Sequence, residues 1–189
     1  DSRARCGAAS VLLLMDRNEE AKALLPANFE LLSRDDWFGY QIAAMIQIRS
    51  GSNMDDGIRR LTHGAQYAPW QDLRRYFVNS LAVAWIKRED HKQALDILKQ
   101  DIDDLEFVDR NKRFALMGHS YAAIGDKQAA VKNLSNLGDT ADPNLSDLRS
   151  DLSQRYSLGT SWGKKVVPMN PIVLDTRIAQ KEFLIAMAA

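Results

Sequence analysis

Phe114-Ala115-Leu116-Met117-Gly118-His119-Ser120-Tyr121-Ala122-Ala123-Ile124-Gly125-Asp126-Lys127-Gln128-Ala129-Ala130-Val131-Lys132-Asn133-Leu134 reads as two helices folded back on each other. Apolar residues recur every three or four positions on both sides of Gly125-Asp126, the spacing of one helical face. A two-residue turn between them forces antiparallel contact. Helices that approach to about 8–10 Å need small side chains where their backbones cross. Gly118 and Ala130 supply these, while Tyr121 and Leu134 fill the space around them.

The same arrangement extends upstream. Val78-x2-Leu81-Ala82-x2-Trp85 leads through Glu89-Asp90 to Ala94-x3-Leu98. Earlier, Ala43 and Ala44 precede a longer turn and Gly57-x3-Leu61, followed by Gly64 and Pro69. The first such unit offers Ala8-Ala9-x2-Leu12, a turn at Asp16-Arg17, and Ala21-x3-Leu25. The small residues of the second helices, Ala21, Gly57, Ala94 and Ala130, recur at intervals of 36, 37 and 36 residues. Helices are expected over 4–15, 37–49, 54–67, 73–87, 91–102, 113–124 and 127–137, and no stretch alternates long enough to argue a strand.

Phe114-x2-Met117-Gly118-x2-Tyr121 followed by Ala130-x3-Leu134 resembles the tetratricopeptide pattern of an aromatic residue, Leu-Gly and Tyr, then Ala and a large apolar residue. The resemblance spans about 4–137 and is closest in the last two units. The family repeats at about 34 residues, so the interval here is longer. The second unit lacks the Leu-Gly and Tyr matches, and Pro26 would end the first unit's second helix early. The resemblance implies an all-α fold: a right-handed superhelical array of antiparallel helix pairs, about four repeats, stabilised by stacking of neighbours. A capping helix over 143–155, with Leu145, Leu148 and Leu152, would close it, making residues 1–155 one repeat domain. Residues 156–189 read as an extended connector (157–171) and a final helix (174–187) that packs on the array or extends from it.

Chemistry is harder to find. No HExxH, CxxC, GxSxG, Walker-type loop or GxGxxG occurs, so no catalytic, metal or cofactor site is expected. His63, His91 and His119 lie 28 residues apart, out of step with the repeat and without metal-ligand spacing. Asp35-Asp36 and Asp55-Asp56 stand where helices begin, where carboxylates cap free amides and suit the helix dipole. Asp103-Asp104 reads as solvated. Cys6 reads as buried packing. As the lone cysteine it can form no intramolecular disulfide, which suits the cytosol and equally an exported protein.

Hydrophobic residues at 46% and charged residues at 26% describe a globular chain, not a disordered one. Twenty-five basic residues balance twenty-five acidic ones, which argues against a nucleic-acid binder. The run Val11–Met15 is far short of the ~20 residues that span a bilayer. A first residue of Asp1 rather than Met is expected of a processed protein or a piece of a longer one.

What the resemblance then implies is a protein-interaction module, whether scaffold, adaptor or chaperone-like, that holds a partner segment against its first helices. The partner-facing set would be Phe38, Gln41, Met45 and Arg49, then Tyr76, Asn79, Val83 and Lys87, then Lys112 and His119. These residues mix apolar anchors with scattered cations, and self-association is an open possibility. The alternative is a helical sensory or regulatory domain of a larger protein; an enzyme ranks below both.

Overall fold

The computed structural model describes residues 2–15, 17–25, 37–51, 53–100, 107–137 and 143–159. Among these the regular structure is entirely helical: α1 (Ser2–Leu14), α2 (Asn18–Leu24), α3 (Trp37–Ser50), α4 (Met54–Tyr67), α5 (Gln71–Lys87), α6 (His91–Leu98), α7 (Phe107–Ala123), α8 (Lys127–Ser135) and α9 (Pro143–Arg155). Within each of the two units described below, helices close in sequence pack on one another. Among the described residues no helix is long and apolar enough to cross a membrane.

Two bounds differ from expectation by more than two residues. α7 begins at Phe107, six residues before the predicted start. Asn111 and Lys112 of the added stretch, like Arg113 after them, are buried although polar, so the apolar period conceals them. α6 stops at Leu98 rather than 102. Of the 157–171 connector only Ser157–Gly159 is described, as the turn after α9; the 174–187 helix, Asp35-Asp36 and Asp103-Asp104 lie outside the described residues.

The chain divides into two compact units, with the boundary between Ala84 and Trp85. In the first, α1 packs on α2, α3 on α4, and both α1 and α2 on α3. Every residue of α3 from Gln41 to Ile48 is buried. That pattern suits a helix covered on several sides, where a one-sided apolar stripe gives way to apolar residues all round. Gly57 of α4 sets the α3–α4 approach: a Cβ there would lie 2.8 Å from Ile48 Cδ1 and 3.0 Å from the Ala44 carbonyl oxygen. Gly64, two turns on, is tighter still, since a Cβ would overlap the ring of Phe77.

The start of α4 departs from the expected capping. Asn53 is the N-cap, its side chain accepting from the Asp56 amide at 3.4 Å. Asp56 instead accepts from Gln47 Nε2 at 2.7 Å and Arg60 Nε at 3.1 Å, and pairs with Arg59. Burial alone would raise the Asp56 carboxyl, but the Gln47 and Arg60 hydrogen bonds and the nearby guanidinium charges hold it below the usual carboxylate range. At the other end, Ala68-Pro69-Trp70 is held by Arg74, whose Nε donates to the Ala68 carbonyl at 2.6 Å.

In the second unit α7 is central, packing on α6, α8 and α9. Two of its turns are built alike. Asp126 N–H bonds to Tyr121 C=O at 3.0 Å and Gly125 N–H to Ala122 C=O at 3.1 Å, with Gly125 at φ 86°. Asp90 N–H bonds to Trp85 C=O at 2.9 Å and Glu89 N–H to Ile86 C=O at 3.0 Å, with Glu89 at φ 64°. Both are Schellman motifs with a left-handed residue after the helix. In each, the aspartate that ends the motif caps the next helix: Asp90 accepts from Gln93 N–H and Asp126 from Ala129 N–H.

The four even-numbered helices share one register. Their N-caps are Arg17, Asn53, Asp90 and Asp126. Four residues on, the amides of Ala21, Gly57, Ala94 and Ala130 bond to those caps' carbonyls at 3.0, 3.1, 3.2 and 3.0 Å. Four further on stand Leu25, Leu61, Leu98 and Leu134, all buried. Cap, small residue and leucine therefore form one stripe per helix, spaced by about one turn. Each buried leucine contributes about 2 kcal/mol.

Candidate functional site

Within the first unit, seven of the ten candidate residues lie on α3 and α5. Gln41, Met45, Asn79 and Val83 are buried; Phe38, Arg49 and Tyr76 are half-buried. Gln41 is engaged internally, its Nε2 donating to Ser80 Oγ at 2.9 Å, which ties α3 to α5. Arg49 donates to the Leu13 carbonyl, one of the last-turn acceptors that α1 leaves open. A guanidinium that read as a free groove cation is thus spent on a helix end.

Beside these, the first unit gathers rings. Trp37 stacks on His63 with centroids 5.9 Å apart, His63 meets Tyr67 at 4.8 Å, and Trp37 meets Phe77 edge-on at 6.0 Å. The Arg60 guanidinium lies over Tyr40 at 5.1 Å. Phe77 and Arg60 are buried and Trp37, Tyr40 and His63 half-buried, but Tyr67 is 64% exposed, and Trp70, just past the end of α4, is 69% exposed. Neither stood among the sequence candidates. The available signal was the pair of aromatic residues flanking Ala68-Pro69, where a helix end turns large rings outward.

In the second unit Lys87 is exposed, whereas Lys112 and His119 are buried. His119 does not stand alone. Its ring lies 5.6 Å from that of His91 and 6.1 Å from that of Tyr156, centroid to centroid. The two histidines hold different places in their helix pairs, as their spacing along the chain implies. His91 opens α6 and His119 lies in α7, so the packing of these two helices closes the 28-residue separation.

Both imidazoles are held neutral. Burial lowers His119, helped by the adjacent His91 and by the Arg155 charge, to about 4. Burial also lowers His91, against the opposing influence of Glu89 and Asp90. The Nδ1 atoms of both rings are buried without a hydrogen-bond partner. Arg155, for its part, pairs with Asp151. Among the described residues no group of three or more His, Cys, Asp or Glu side chains is gathered for a metal ion.

These features define an all-α protein of packed helices, with rings exposed in one unit and, in the other, a buried histidine beside a half-buried one. Comparison with protein-family models, with curated proteins and with solved structures finds no match to the chain.

Proposed function

We propose that this chain is a protein-interaction module, a right-handed superhelical array of tetratricopeptide-like helix pairs with α9 as its cap, acting as scaffold, adaptor or chaperone-like holder of a partner segment. The observation that carries the reading is the shared register of α2, α4, α6 and α8. A cap, a small residue and a leucine recur there at near-constant interval, as expected of a repeat that builds surface by stacking. Lys87 is exposed and Phe38 and Tyr76 are half-buried, so these three keep surface for partner contact, while Arg49 braces the end of α1. Gln41, Met45, Asn79, Val83, Lys112 and His119 are covered by the chain itself, and in this reading they support the contact face from beneath.

The test is affinity capture from the source cell with the tagged chain, followed by mass spectrometry. Tyr76→Ala combined with Lys87→Glu is expected to reduce capture of one specific polypeptide about tenfold, while circular dichroism keeps the same melting curve. Binding anchored on exposed rings predicts a similar loss from Tyr67→Ala with Trp70→Ala. A chain that retains no specific polypeptide, or variants that retain it undiminished, would remove the proposal.

A further inference from the structure

We propose that His91 and His119 form a two-imidazole site for a divalent transition ion of the Zn2+ or Cu2+ kind, its remaining positions open to solvent or to a donor from another molecule. Zinc–imidazole bonds of about 2.0–2.1 Å place the centroids of two rings on one tetrahedral ion roughly 5 Å apart. The observed centroid separation is 5.6 Å, which one ion can bridge once both rings turn a nitrogen towards it.

The donor atoms also fit. Nδ1 of each ring is buried and accepts no hydrogen bond, and the His119 residue is only 6% exposed. A buried imidazole nitrogen left unpartnered forfeits a favourable interaction, and coordination restores it. The surrounding charge is mixed: Glu89 and Asp90 lie near His91, and the Arg155 cation near His119 is balanced by Asp151. Imidazole donors favour Cu2+ and Zn2+ over Mg2+ and Ca2+, which seek oxygen.

The experiment titrates the chelator-stripped full chain with CuCl2 and, separately, ZnCl2, using MgCl2 as control. One ion per chain is expected, with two nitrogen couplings in the Cu2+ paramagnetic resonance spectrum. The unfolding midpoint should rise by about 5 °C at saturating Cu2+ or Zn2+ and should not move with Mg2+. His91→Gln should reduce the nitrogen count to one and weaken binding at least about tenfold, while His63→Gln leaves both unchanged. Should His119→Gln fail to fold, His91→Gln decides alone, because His91 is half-buried at the first turn of a short helix. Absence of saturable binding at one equivalent overturns the site. So does Cu2+ binding that survives His91→Gln unchanged, or that disappears with His63→Gln.

Discussion

Helices α4 and α7 each bring a glycine against an apolar neighbour on the helix that follows, yet the neighbours differ in stiffness. In α7, a Cβ on Gly118 would lie 2.6 Å from Leu134 Cγ and Cδ2, atoms of a side chain with two soft torsions. In α4, Gly64 faces the flat ring of Phe77, three of whose ring atoms would lie within 2.4 Å of an added Cβ, and a rigid ring must move as a whole. The polar surroundings differ as well. The start of α4 holds a network of Asn53, Asp56, Arg60 and Gln47, whereas α8 begins with Asp126 as a simple cap. Meanwhile α7 carries a buried neutral histidine. Equal sequence signals at the crossings therefore stand for unequal energies.

Acid should separate the two units most. In chelator-treated protein His119 titrates near 4 when folded and near its ordinary 6.5 when unfolded. The fold prefers the neutral ring, so this stability is complete above pH 6.5 and is lost as pH falls towards 4. Below 4 both states hold the proton and the loss stops. The cost is on the order of 3 kcal/mol, and His91 adds to it with the same sign. Amide hydrogen exchange at pH 7 and pH 4.5 should show α7 losing protection well before α3. Parallel loss in both helices would refute the contrast.

Next in size is Gly64→Ala. Overpacking against Phe77 costs about 3 kcal/mol, offset by about 1 kcal/mol of helix propensity, for a net loss of about 2 kcal/mol in urea denaturation. Gly118→Ala, against the adaptable Leu134, should lose less than about 1 kcal/mol by the same measurement. If the two variants match, stiffness of the neighbour is the wrong explanation. Asp56→Ala should cost about 1.5 kcal/mol, since it removes the acceptor shared by Gln47 and Arg60.

A smaller effect has the opposite sign. Glu89 occupies a left-handed position that Gly125 fills in the equivalent turn. Glu89→Gly should stabilise the chain by about 0.5–1 kcal/mol, read as a raised melting midpoint. Smallest is Arg17→Ala. The Arg17–Glu20 pair is solvent-exposed, and its removal should leave the denaturation curve unmoved.

Much of the architecture was legible because it is local. Turn residues at Glu89-Asp90 and Gly125-Asp126, and small residues four positions after each cap, leave a mark wherever they occur. The early start of α7 was not legible, because Asn111, Lys112 and Arg113 put polar side chains on a buried stretch and break the apolar period. The candidate face was only partly legible. Helical spacing tells which residues share a side of a helix, but not whether another element already covers that side. Gln41 and Arg49 show the difference, one bonded to Ser80 and the other to the Leu13 carbonyl.

By itself the amino-acid order determined that this chain is helical, where most of its helices start and stop, and which small residues mark the close crossings. Those outcomes depend on hydrogen bonds and steric fits among residues a few positions apart. Tertiary structure alone decided that His91 and His119 meet, that Phe77 lies on Gly64, and that Tyr67 and Trp70 stay exposed. Such contacts join residues of different helices, and their distances are set by how whole helices pack rather than by any spacing along the chain.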